Sequence, residues 1–353
     1  MNRTPADCIP ANLSSAKSQS TLPSQPLDII VLGLGRFGRL WADCVSHLGR
    51  VRTYDPAVSP PPASDHTHTQ LPDLKALHQA LGICDILFFC VPISAMQQTL
   101  IELGPGLISR RQAVTVKPLW LMDTCSVKVQ PMQHIQHTID QLGDTGEQSS
   151  FRLLGLHPMF GPDSFNSNSV PQSPPLHALH AFHPLDARWE DDEVGQSKVP
   201  DTAIRDSNSN TDLRLVLCPQ ITDSKDNSRP GSGPSGSELL FWEQSFLQLG
   251  FRSIVMSADA HDREAARTQG LTHLLGRVLE AFDIDESPMA TTGYRTLCEL
   301  REQTCHDTWQ LFLDLQQQNN YTPAMRCELQ KAFETVCTAL AELGAHQGPK
   351  QGH

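Results

Sequence analysis

Polar and apolar positions follow two rhythms in this chain, and the change between them near Met256 divides it. Up to that point the apolar residues gather in short runs rich in Val, Ile and Leu, separated by stretches with helical spacing. Leu27-Asp-Ile-Ile-Val-Leu32 reads as a strand and Leu34 to Val45 as a helix. Arg50 to Asp55 is a second strand and Leu74 to Leu81 a short helix. Cys84 to Val91 is a buried strand ended by Pro92, Ile93 to Leu103 a helix, and Leu119 to Asp123 another strand. Phe151 to Gly155, Arg214 to Cys218 and Phe251 to Met256 complete the set, with an amphipathic helix from Glu238 to Leu249. Strands alternating with helices predict a doubly wound parallel α/β sheet. From Ser257 the spacing is helical throughout, first in a long helix through Gln269, Thr272, His273 and Arg277, then in further helices to Leu343.

This pattern sets the expected organisation: residues 1–26 a disordered tail, 27–256 a dinucleotide-binding domain, 257–345 a helical domain. Two stretches break the rhythm. Residues 165–211 are rich in Asn, Ser, Pro and His, and 223–237 in Ser, Gly and Pro, and both read as flexible insertions. The tail lacks the apolar core of a secretory signal, although its Ser, Thr and Ala content leaves an organelle-targeting role open. No apolar run approaches the roughly 18 residues of a membrane span.

Charge narrows the ligand. A formal charge of -12 over 353 residues argues against broad electrostatic capture of nucleic acid or of an anionic membrane, and points to a small molecule. The ten cysteines are scattered singly, with no C-x-x-C pair and no zinc-like Cys/His spacing. We therefore expect reduced core thiols, a cytoplasmic protein and no metal site.

The chemistry collects at strand ends. Gly33-Leu34-Gly35-Arg36-Phe37-Gly38 follows the first strand and opens a helix, which is the context a G-x-G-x-x-G fingerprint needs in a Rossmann-type fold. Asp55 ends the next strand about 20 residues on, where an acid binds the ribose hydroxyls of NAD, and so favours NAD over NADP. Val91 and Pro92 end the strand that follows. Asp123-Thr-Cys-Ser126-Val-Lys128 closes another, with Ser126 either a hydroxyl donor at the site or an ordinary helix cap. Gly155-Leu-His157-Pro-Met-Phe-Gly161-Pro162 holds a histidine in a rigid frame, delivered by the carboxyl end of its strand.

Taken together, Asp123 to Lys128 and His157 to Pro162 resemble the D-x-x-S-V-K and H-P-M-F-G-P segments of the prephenate and arogenate dehydrogenases, which follow the glycine fingerprint in this order. The resemblance implies NAD-dependent oxidation of a ring alcohol with loss of the ring carboxylate as carbon dioxide, in tyrosine biosynthesis. His157 would be the base, and Ser126 would hydrogen-bond the same hydroxyl or the imidazole. Gly33 to Gly38, Asp55, Val91, Pro92 and Lys128 would hold the cofactor. The expected substrate is prephenate; the alternatives are arogenate, both substrates, or an inactive dinucleotide-binding regulator. The resemblance also implies a homodimer interlocked through the helical domain. Its H-D-x-x-x-A-x-x-Q-x-x-T-H pattern falls on His261 to His273, with Gln269 and His273 either lining the substrate pocket or packed between helices. His261 and Asp262, at a helix start, are either caps or catalytic. Arg295 and Arg301 are the candidates for the substrate's side-chain carboxylate. The acid limb of activity is expected near pH 6.5, the ordinary imidazole value of about 6.5.

Overall fold

The computed structural model describes residues 26–59, 68–113, 117–144, 149–165, 213–220 and 233–346. Residues 1–25 of the expected tail, 166–211 of the first expected insertion and 223–232 of the second lie outside these residues; Ser235 to Ser237, expected to end the second, instead cap and begin a helix.

Among the described residues eight strands form one sheet: β1 (Leu27–Leu32), β2 (Gly49–Tyr54), β3 (Thr69–Gln70), β4 (Ile86–Phe89), β5 (Leu119–Asp123), β6 (Phe151–Pro158), β7 (Arg214–Pro219) and β8 (Arg252–Val255). Their order is β3-β2-β1-β4-β5-β6-β7-β8. The pairs from β3 to β6 are parallel, β7 runs antiparallel to β6, and β8 is parallel to β7. The sheet is thus mostly parallel, as expected, with the last two strands opposing the rest. An apolar run such as Leu215-Val-Leu-Cys218 reads the same in either direction, so its residues carry no sign of it.

The central strands are apolar at nearly every position because helices cover both faces. Alternate side chains enter opposite cores: Ile30, Leu87 and Leu121 join one, Ile29, Phe88 and Trp120 the other. Helices α1 (Arg36–Val45), α2 (Leu74–Leu81), α3 (Ile93–Gln112), α4 (Val129–Gln141) and α5 (Gly236–Gln248) supply the covers. Trp41 of α1 and Trp242 of α5 fill one core; Leu77 of α2, Leu100 of α3 and Ile135 of α4 fill the other.

Two boundaries differ from the sequence expectation for physical reasons. Helix α3 runs through Gly104-Pro105-Gly106 instead of ending at Leu103. Beyond the proline it is held by Arg110, 2% exposed, whose guanidinium donates to the carbonyls of Leu81 and Lys117, so tertiary anchoring overrides the local breaker. Strand β6 extends to Pro158 because β7 pairs with its end, His157 opposite Val216. His157 thus stands in a strand rather than in the loop after it.

After Val255 the described elements are helical. Ser257 caps α6 (Ala258–Ala265), accepting from Ala260 N–H, and a π-helical turn (Ala266–Gly270) leads into α7 (Leu271–Ala281). Helices α8 (Thr292–Cys305), α9 (Trp309–Gln317) and α10 (Thr322–His346) follow. Among the described residues no helix is long and apolar enough to cross a membrane.

Candidate active site

The carboxyl ends of β1, β4, β5 and β6 open on one cavity of about 740 Å³, closed on its other side by the π-helical turn, α7, α9 and the link before α9. The glycine loop forms one end. Gly33 has φ +88°, a left-handed conformation that favours glycine, and its N–H donates to Tyr54 O at 2.9 Å. A Cβ on Gly38 would lie 1.9 Å from Gly33 O, so only glycine lets α1 start this close to β1. Gly35, the N-cap of α1, has no heavy atom within 4 Å of where a Cβ would stand, and α1 has neither a capping side chain nor an acid in its first turn. Open space before an uncapped helix N-terminus suits a phosphate group. Asp55 anchors the loop: its carboxylate accepts Leu34 N–H at 2.7 Å and Ala57 N–H at 2.8 Å while lining the cavity.

His157, 4% exposed, also lines the cavity. Its Nδ1 lies 2.7 Å from Nε2 of His261, whose Nδ1 lies 2.8 Å from Oδ1 of Asp262. This chain of bonds sets the tautomers. A carboxylate only accepts, so His261 Nδ1 carries a proton and, in the neutral ring, Nε2 does not. His157 Nδ1 must then donate to it, leaving Nε2 of His157 with a free lone pair. Burial, then the neighbouring His261 and Lys128, hold His157 well below the ordinary 6.5. Burial likewise lowers His261, against the opposing hydrogen bond to Asp262.

Asp262 is fixed from several sides. Oδ1 accepts Lys128 N–H at 2.7 Å, Oδ2 accepts Val129 N–H at 3.0 Å, and its own carbonyl accepts from Asn319. It does act as a cap, but for α4 rather than for its own helix. His261 turns away from its helix end and reaches the candidate base. The sequence left both roles open for this pair, because the partners of His261 and Asp262 lie far along the chain.

Other expected residues divide clearly. Gly33, Gly35, Arg36, Phe37, Gly38, Asp55, Val91, Pro92, Ser126, His157, Gln269 and His273 line the cavity. Ser126 Oγ and Gln269 Oε1 are buried without a hydrogen-bond partner among the described residues, so each is free for a ligand. Ser126 makes no capping bond to α4. Gln269 sits in the π-helical turn, a distortion common at functional sites. Leu34 does not line the cavity; its contribution is the N–H that holds Asp55.

Lys128 and the two arginines are corrections. Lys128 is wholly buried, ion-paired with Asp123 and donating to Leu156 O, so its ammonium is satisfied inside the protein and does not face a cofactor. Burial pushes the Asp123 carboxyl above its ordinary range, with Lys128 opposing. No residue of α8 lines the cavity. Arg295 is exposed, and Arg301 donates to Ile284 O in the preceding turn. The residues that do form this wall, Asp307, Gln310 and Asp314, come from α9 and the link before it, where no motif marks them. Cys90 and Cys125 also line the cavity, but burial raises the Cys90 thiol to about 12 and Cys125 well above its ordinary value, so neither is a thiolate nucleophile at neutral pH.

Comparison with known proteins adds to this geometry. A family model described as the TYRAAT1-like C-terminal domain matches residues 278–351. Arogenate dehydrogenase 1, chloroplastic, of Arabidopsis thaliana is 24% identical over 340 residues, 94% of this chain and 41% of that protein. Arogenate dehydrogenase 2, chloroplastic, of the same plant is 36% identical over 115 residues, 31% of each. The chain thus spans less than half the length of these relatives. Prephenate dehydrogenase of Aquifex aeolicus, solved with hydroxyphenyl propionate and NAD+, superposes with a TM-score of 0.53 at 13% identity, over 92% of this chain and 93% of that one. A putative prephenate dehydrogenase of Corynebacterium glutamicum gives 0.55 at 16% identity, over 94% and 84%. At those identities the structures establish a common fold.

Proposed function

This chain is similar to the prephenate and arogenate dehydrogenases by sequence and fold, and we propose that it performs their reaction, NAD-dependent oxidative decarboxylation of a cyclohexadienol. The substrate is prephenate or its amino counterpart arogenate, and the names of the two Arabidopsis relatives favour arogenate. The observation that carries the proposal is the bonded series Asp262, His261, His157, which ends in a free imidazole nitrogen beside the glycine loop.

Gly35 and the first turn of α1 would hold the pyrophosphate of NAD, and Asp55 a ribose hydroxyl. When bound, NAD supplies the hydride acceptor. His157 Nε2 removes the proton of the ring alcohol as the adjoining C–H is oxidised, and Ser126 Oγ hydrogen-bonds the same oxygen. The bond from ring to carboxylate then breaks, its electrons complete an aromatic ring, and carbon dioxide leaves. Among the described residues Arg36, at the glycine loop, is the single Lys or Arg that lines the cavity. A ring carboxylate that must depart uncharged is therefore not clamped by a cation at the base, which would oppose the reaction.

Steady-state NADH formation with each substrate tests the reading. kcat/KM should favour NAD over NADP by about tenfold or more, because Asp55 would repel a 2′-phosphate. Asp55→Ser should narrow that ratio. No turnover of either substrate would refute the assignment.

Exposed Phe333, Val336 and Leu340 form a stripe along α10, and Phe282 and Met289 lie bare nearby in sequence to α7. Apolar surface of this kind supports a homodimer through the helical region. Sedimentation should give twice the chain mass; a monomer at micromolar concentration would contradict it. The nine described cysteines are free, which suits a reducing compartment such as the cytoplasm.

A further inference from the structure

The cavity continues past Asp55 on the side away from His157, since β1, β4 and β5 separate β2 from β6 in the sheet. There it enters a slot between α2 and α3. Leu74 and Leu77 of α2 line one wall, and Ala95, Thr99 and Leu103 of α3 line the other. The two helices are tied together behind it: His78 Nε2 lies 2.8 Å from Glu102 O, and a Cβ on Gly106 would lie 2.8 Å from Leu81 Cδ1, so glycine lets them meet. Tyr54 lines the slot where β2 ends. Burial, then the charges of Glu102, Asp73 and Asp55, raise its phenol above the ordinary value, which places these three carboxylates close to the ring. Two of them are committed to the backbone. Asp55 accepts Leu34 and Ala57 N–H, and Asp73 caps α2, accepting Ala76 N–H at 2.7 Å. Glu102, half-buried on the cavity wall, is not: its Oε1 accepts from Gln98 at 2.9 Å, and its Oε2 has no hydrogen-bond donor among the described residues.

An apolar slot beyond a ribose-binding acid has room for a flat base, but apolar walls do not choose among bases. A carboxylate at the edge does. Adenine carries a 6-amino donor on its outer edge, whereas hypoxanthine, of the same shape, carries a 6-oxo acceptor there. A carboxylate only accepts, so it bonds the amino group and would set lone pair against lone pair with the oxo group. Walls held by tied helices leave the base little freedom to slide away from that clash. We infer that the slot is the base subsite of the dinucleotide and that Glu102 reads the 6-amino group of adenine. The inference rests on the cofactor reading above and adds a second point of recognition, at the base, to the one at the ribose.

Calorimetric binding of NAD and of its deaminated analogue, nicotinamide hypoxanthine dinucleotide, to the wild-type protein tests this without turnover and without a variant. NAD should bind about 10- to 100-fold more tightly, the range of one hydrogen bond to a charged group. Kd values within about twofold of each other would overturn the role of Glu102 and leave the cofactor assignment standing. Glu102→Gln supplies the second measurement, because its amide can present an oxygen to a 6-amino group or an N–H to a 6-oxo group. The preference should shrink to about threefold or less in that variant. A Glu102→Gln protein that binds NAD and keeps the wild-type preference would refute the inference, since another group would then read the base. Absence of binding by either dinucleotide would overturn it together with the cofactor reading on which it rests.

Discussion

His157→Asn is expected to lower kcat by roughly 10²- to 10⁴-fold with little change in KM, the signature of a group needed in the transition state more than in binding. The geometry gives the reason. The imidazole is held by a strand, by pairing with β7 and by His261, and the one nitrogen not committed to the protein is Nε2. Asparagine keeps an amide near the Nδ1 position and so keeps the contact to His261, but it has no basic nitrogen. His261 is by this account a positioning residue: it fixes the tautomer of His157 without touching substrate. A His157→Asn enzyme with wild-type kcat would mean that the imidazole is structural.

Asp123→Ala is expected to destabilise the fold by about 3 to 5 kcal/mol, the usual cost of removing one partner from a buried ion pair. Lys128 and Asp123 both have no exposed side-chain surface, and after the substitution the ammonium would keep only the carbonyl of Leu156. That carbonyl precedes His157, and the Lys128 backbone N–H holds Asp262, so the loss of stability would extend into the site. Urea denaturation measures the change directly. A loss below about 1 kcal/mol, the range of an exposed pair, would show that the pair is solvated.

What the sequence made legible was local. The glycine fingerprint, Asp55, Ser126 and His157 stand where strand ends converge, because periodicity and turn residues are properties of neighbours along the chain. Contacts between distant segments were not legible. Nothing in His261-Asp262 reveals that one residue meets His157 and the other caps α4, since a histidine and an acid at a helix start have the same composition in either role. The resemblance places Lys128 with the cofactor, and only its pairing with the buried Asp123 shows that its ammonium turns inward. Arg295 and Arg301 failed for want of register: a helix presents different faces within a few residues, and α8 does not line the cavity. The direction of β7 and the passage of α3 through Pro105 were likewise decided by packing.

The pH dependence of kcat/KM in the wild type and in His157→Asn tests the central claim most directly. The base must be neutral to accept a proton, and burial lowers its affinity for one below the ordinary 6.5. Activity should therefore stay level from neutral pH to below 6.5, and fall only as the pH passes through the lowered value, further toward acid than the sequence alone suggested. That acid limb should disappear from the residual activity of His157→Asn. A limb at or above 6.5 that persists in the variant would contradict the account, and the base would have to be sought elsewhere.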